Sequence, residues 1–199
     1  FATPGGFIGV NTGLILLTNS ESELAGVLAH ETGHVMQRHI VRAVEAQGHS
    51  SLTSIAAVLG AVLIGAITGS GNAIPGLVAL SQGAAMQQQI NFTRMEETEA
   101  DRVGIGYLAA AGYDPNGMAS FFGIMMRERG AAEDFIPALL QSHPVDSVRI
   151  AEARARIATL PTYARRPDSP NYQLARERIR ILMSPPDSDL RKYYEKMRA

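Results

Sequence analysis

Apolar and polar positions along the chain divide it into a short opening with β character and a succession of helices. Gly5-Gly6-Phe7-Ile8-Gly9-Val10 and Leu14-Ile15-Leu16-Leu17 are apolar runs separated by Asn11-Thr12-Gly13, which predicts a hairpin closed by a tight turn. A helix is predicted over residues 21–45: Ser20 is a good N-cap, Glu23 stands three residues on as in a capping box, and Leu24, Val27, Leu28 and Val35 recur at helical spacing. A second long helix runs from Met86 to Ala111 and meets Gly112, suited to the left-handed residue that ends many helices. Asp114-Pro115 supplies an N-cap and a first-turn proline for a helix ending near Gly130. Pro144 opens another that ends before Pro161, Ser169-Pro170 begins one that fades near Ser184, and residues 186–199 form a charged last helix.

Charge changes the picture, because it is unevenly placed. Residues 1–45 hold 6 charged side chains, residues 46–93 none and residues 94–199 hold 31. The neutral block contains the apolar run Leu52–Thr68, whose 17 residues sit at the lower limit for crossing a bilayer. Over the whole chain 18 basic and 19 acidic residues nearly cancel, which argues against a nucleic-acid partner. Residues 149–199 carry 12 basic and 6 acidic side chains, read as solvated faces of amphipathic helices. The absence of cysteine removes disulfides, thiol catalysis and cysteine-ligated metals. The chain opens at Phe1 without a leader pattern, so any targeting signal is expected outside it.

His30-Glu31-Thr32-Gly33-His34 has the H-E-x-x-H spacing and falls inside the first predicted helix. Residues four apart share a helical face, so both imidazoles can reach one metal ion, while Glu31 on the intervening turn can hold a water and accept its proton. Hydrolytic zinc usually takes three protein ligands and leaves one position for water. The third ligand must come from elsewhere, since Gln37 and Ile40 occupy the Gly and His positions of an H-x-x-G-x-x-H extension and His39 points off the ligand face. In the acidic run 96–101, Glu97 and Asp101 are four apart. Glu97 can therefore ligate while Asp101 accepts a hydrogen bond from the other nitrogen of a ligand histidine. Glu96 and Glu99 have no such partner in the pattern.

Taken together, His30-Glu31-x-x-His34, Glu97-x-x-x-Asp101, His143-Pro144 followed by Arg149, and the upstream Ala2-x-Pro4-Gly5-Gly6 with Val10-Asn11-Thr12-Gly13 resemble the membrane-linked gluzincin peptidases. That group includes the CAAX prenyl proteases, the HtpX heat-shock proteases and the BepA-type periplasmic proteases. The resemblance covers residues 1–155 and implies a zinc metalloendopeptidase of α+β class. It implies a mostly helical catalytic domain over residues 1–160, with a small N-terminal β-hairpin or sheet. Residues 161–199 would be a C-terminal helical extension of the kind that leads into repeats in BepA-type proteins. By position, His30, His34 and Glu97 would bind one Zn2+, Glu31 would be the base and Asp101 would orient a ligand. HtpX and the prenyl proteases have several membrane spans, whereas this chain has one candidate, which places it nearer the BepA-like branch and implies a periplasmic or envelope-membrane location.

His143 is expected over the metal, either stabilising the oxyanion or filling the open coordination position in a resting form. Arg149 is expected either to pair with a motif carboxylate or to steady the oxyanion. Gly6, Phe7, Ile8, Gly9, Val10 and Asn11 are expected to bind polypeptide substrate as an extended strand. The function so implied is hydrolysis of misfolded or unassembled envelope proteins. Two alternatives stand beside it: a latent, zinc-containing, chaperone-like module blocked by His143, and a membrane-embedded protease of HtpX type spanning at 52–68. The neutral block links the helix carrying His30 and His34 to the helix carrying Glu97. It is read as an apolar helical hairpin beside the cleft, with residues 52–90 as a peripheral membrane contact.

Overall fold

The computed structural model describes residues 1–3, 5–45, 74–128, 143–161, 164–185 and 189–198. These are mostly helical: α1 (Thr12–Leu17), α2 (Glu21–Met36), α3 (Ile74–Ala110), α4 (Asn116–Glu128), α5 (Ser147–Ala158), α6 (Pro170–Met183) and α7 (Leu190–Arg198). The expected hairpin is corrected by α1, for its second apolar run is helical. Asn11 is the reason: it stays extended and its Oδ1 accepts a hydrogen bond from Gly13 N at 2.8 Å, so the residues read as a turn serve as a helix cap. The β character shrinks to one antiparallel bridge, Ala2 with Ile8, folded over Gly5 and Gly6 at φ of 94° and 83°. No sheet occurs among the described residues, so the α+β expectation gives way there to a mostly helical domain.

Helix α2 begins as its sequence dictates, with Ser20 Oγ accepting from Glu23 N at 3.1 Å. A second cap comes from far along the chain. Asp168 Oδ2 accepts from Glu21 N at 3.1 Å, while Glu21 Oε2 accepts from Ser169 N at 2.8 Å. The predicted continuous helix to residue 45 is interrupted: α2 stops at Met36, Arg38 takes the left-handed φ of 57°, and helical backbone resumes at 39–45. Helix α3 starts earlier than predicted and ends as predicted. Gly112, at φ 78°, donates to Ala109 O and Tyr113 N donates to Leu108 O, the paired bonds of a Schellman end. Helix α5 starts at Ser147 under an Asp146 cap rather than at Pro144.

Helix α2 packs between α3 and α4, and small residues set the approach. A methyl group on Gly26 would lie 2.9 Å from the Met118 backbone of α4, and one on Gly33 would lie 2.9 Å from Ala100 O of α3. The core between them holds Val27, Ile105, Leu108, Met118, Phe121, Phe122, Met125, Val145 and Ala153. Helix α6 lies on α1, where the buried Tyr172 hydroxyl bonds Thr18 and Arg176 Nη2 donates to Leu16 O at 3.0 Å. Leu52–Thr68 lies outside the described residues, and residues 74–93 of the neutral block are the first part of α3. No helix among the described residues is long and apolar enough to cross a membrane.

This packing gives a paired prediction. Gly26→Ala should destabilise the fold by about 1–3 kcal/mol through overpacking against α4. Gly106→Ala, on α3 with open space around it, should be neutral or stabilise by up to about 1 kcal/mol. Denaturant unfolding of the two variants measures both signs.

Candidate metal centre

Helix α2 delivers His30, Glu31 and His34, α3 delivers Glu97 and Asp101, and the segment before α5 delivers His143. Their ligand atoms converge. His30 Nε2 lies 3.0 Å from His34 Nε2, 3.4 Å from Glu97 Oε2 and 3.2 Å from His143 Nδ1. Glu97 Oε1 lies 3.3 Å from His34 Nε2 and 3.0 Å from His143 Nδ1. Bonds of about 2.05 Å to a tetrahedral zinc imply ligand-to-ligand edges of about 3.3 Å. The edges of 3.0–3.4 Å here are close to that value, and all four donors, His30, His34, Glu97 and His143, lie within 4.8 Å of one another.

The outer partners fix which nitrogens face inward. His30 Nδ1 bonds Asp101 Oδ1 at 2.8 Å, leaving Nε2 toward the cluster. Arg149, buried beside them, donates from Nε to Asp101 Oδ2 and from Nη2 to Asp101 Oδ1, both at 2.9 Å, and sets Nη1 2.8 Å from Glu97 Oε2. The same Nη1 donates to Pro144 O at 2.6 Å. Of the two roles expected for Arg149, the geometry places it on the motif carboxylates, where it also ties down the segment bearing His143.

Burial pushes the His30 imidazolium down, but hydrogen bonds to Asp101 and Glu97 outweigh it and raise its pKa to about 9. Burial would raise Glu97, yet hydrogen bonds from His143, His30 and His34 hold its carboxyl far below the usual range. His34 is pushed down by burial, with the neighbouring His30 and His143 adding to the effect, and stays neutral. Buried Oε1 of Glu31 and Oε2 of Glu97 have no hydrogen-bond donor of good geometry. Converging imidazole nitrogens and a deeply ionised carboxylate, with a buried carboxylate oxygen left unbonded at the rim, are what a divalent cation would satisfy, so these residues fit a zinc ion. Glu31 Oε1 lies 3.3 Å from His143 Nε2, at the rim of the donor set and outside it.

Two features escaped the sequence reading. His39 is buried, and its Nδ1 lies 2.8 Å from His34 Nδ1 while its Nε2 lies 3.2 Å from Glu99 Oε2, which also accepts from Arg42 Nη1 at 2.9 Å. Glu99 therefore has a histidine partner, contrary to expectation. In an unbroken helix a residue five positions on turns away from His34; the left-handed Arg38 brings His39 back, and no breaker residue announces it. The second feature is Glu96, whose burial pushes its carboxyl up to about 7.

Of the segment 6–11, Gly6 lies across a cavity from His34. Thr3 N donates to Phe7 O and Gly9 N to Phe1 O, both at 2.9 Å, and a cavity of about 340 Å³ is lined by Thr3, Gly5 and Gly6 on one side and His34, Val35 and Arg38 on the other.

Residues 1–157 match the model of peptidase family M48. The chain belongs to that family. M48 members are metallopeptidases, and the relatives agree. A Vibrio cholerae relative named for beta-barrel assembly-enhancing protease activity is 43% identical over 179 residues, covering 90% of this chain and 36% of its own length. The beta-barrel assembly-enhancing proteases of Yersinia pestis and Escherichia coli K12 are each 35% identical, over 90% and 78% of this chain and 36% and 31% of their own. The chain thus spans about a third of the length of the curated relatives it matches.

The proton on His30 and a metal compete for one site, which fixes a sign. Because the folded pKa of about 9 lies above the ordinary 6.5, the proton stabilises the metal-free fold fully below pH 6.5, and that contribution is lost as pH rises through about 9. A zinc ion held by His30 Nε2 would displace the proton. Thermal midpoints between pH 6 and 9.5 should therefore fall with pH in chelator and stay level with zinc; parallel curves would contradict this assignment.

Proposed function

We propose that this M48 chain is the catalytic domain of a zinc endopeptidase that cleaves extended polypeptide in the bacterial envelope, acting on unassembled or misfolded envelope proteins. The observation that carries the reading is the cluster of His30, His34, Glu97 and His143 with Glu31 buried at its rim. The relatives' names, which couple protease activity to β-barrel assembly, support unassembled β-barrel proteins as the substrate class. Bound by His30, His34 and Glu97, one zinc ion per chain would polarise the scissile carbonyl and make water acidic enough to attack at neutral pH. Glu31 takes the proton from the attacking water and returns it to the leaving amine. Asp101 and Arg149 hold His30 and Glu97 in register throughout.

The edge of segment 6–11 supports strand-wise substrate binding. Phe7 O and Gly9 N point toward residues 1–3, so by the alternation of an extended chain the main-chain groups of Ile8 point the other way, free to pair with a peptide. Phe7 is 75% exposed beside them. Such pairing reads backbone rather than side chains, which suits a protease for unfolded clients.

Glu31→Gln should keep zinc and lose casein cleavage by at least about 10²-fold. Activity that survives this change would refute the mechanism. A second reading concerns regulation. His143 Nδ1, 3.2 Å from His30 Nε2 and 3.0 Å from Glu97 Oε1, occupies the coordination position that substrate needs, which supports a resting form held closed by His143. His143→Ala should then keep zinc and raise basal cleavage severalfold, whereas a fall in kcat at unchanged zinc content would assign His143 to oxyanion stabilisation.

A further inference from the structure

The two helix-borne histidines are anchored differently. His30 meets its carboxylate directly, through Asp101. His34 does not: its Nδ1 faces the Nδ1 of a second imidazole, His39, 2.8 Å away with the rings nearly perpendicular at 79°. Between two nitrogens one must donate and the other accept. Glu99, held by Arg42, accepts only, so the single proton of a neutral His39 sits on Nε2, toward Glu99 Oε2. That leaves His39 Nδ1 as an acceptor, requires His34 Nδ1 to donate, and leaves a bare lone pair on His34 Nε2 at the ligand cluster. His39 is 2% exposed, so no water can take its place without rearrangement. The left-handed Arg38 and the restarted helix at 39–45 have a purpose in this arrangement, since they turn His39 onto the back of His34.

We propose that His39 and Glu99 are positioning residues for the metal site, a relay that locks the tautomer and ring orientation of His34 from behind. The relay touches neither substrate nor metal. It rests on the metal-ligand reading of His34 given above, and it extends the outer shell of that site by one imidazole relative to the His30 side. Helix α3 then supplies both outer carboxylates, Asp101 for one ligand and Glu99 for the other, from different faces.

The test is zinc affinity, measured by competition with a chromophoric chelator on the intact protein. His39→Leu should weaken binding by about 10- to 100-fold, the usual cost of removing an outer partner. His39→Asn, which keeps an oxygen acceptor where Nδ1 sits, should stay within about threefold of wild type, and Glu99→Leu should lose about 3- to 10-fold. The cobalt-substituted protein should show a shifted d–d spectrum in His39→Leu and a wild-type spectrum in His39→Asn. Imidazole ¹⁵N shifts of the metal-free wild type should report His34 as the Nδ1–H tautomer and His39 as the Nε2–H tautomer, a readout that needs no variant to fold. A folded His39→Leu with wild-type affinity, a His39→Asn as weak as His39→Leu, or His34 protonated on Nε2 would overturn the relay. If wild type binds no zinc at all, the metal reading falls first; if wild type binds and His39→Leu binds equally, only the relay falls.

Discussion

The structure depends on one costly arrangement: Glu97 and Asp101, two carboxylates buried on α3, face two imidazoles buried on α2. Unpaired buried charges are expensive, so every neighbouring element must supply a counter-charge or a hydrogen bond at about 3 Å. Arg149 comes from α5, His143 from the segment before it, and Gly33 lets the α3 backbone approach α2 closely enough for the groups to meet. The apolar core on the other side of α2, around Val27, Met118 and Phe121, holds the helix against that electrostatic demand. The site is thus a set of buried carboxylates, imidazoles and one guanidinium that compensate one another, kept together by packing next door.

How much of this was legible in the sequence follows from range. Features set within one or two turns were readable: the four-residue spacing of His30 and His34, the spacing of Glu97 and Asp101, the Ser20 and Ser169 caps and the glycine end at Gly112. Features decided by tertiary contact were not. Asn11-Thr12-Gly13 serves a hairpin or a helix start equally well, and α1 is stabilised by its burial under Tyr172, 154 positions away. The break at Gln37 and Arg38 has no proline or glycine to mark it. His39 stays off the ligand face, as its spacing predicts, but the break turns it onto the back of His34 and beside Glu99, a pairing that spacing alone does not reveal.

The choice between the two roles of Arg149 shows the same boundary. An arginine five residues after His-Pro can serve a carboxylate or an oxyanion, and only the position of α5 against α3 decides. The planar guanidinium fork matches Asp101 with two parallel bonds and still reaches Glu97 and Pro144 O. Lysine has one compact charge and could not span these four acceptors.

The cap that Asp168 places on the start of α2 has a temporal consequence. During synthesis, the helix bearing His30 and Glu31 leaves the ribosome well before residue 168 does, so the Glu21 N–H waits for a partner encoded 147 positions later. The Thr18 hydroxyl waits similarly for Tyr172. The start of α2 therefore gains its full set of caps only once the chain has been made as far as the beginning of α6.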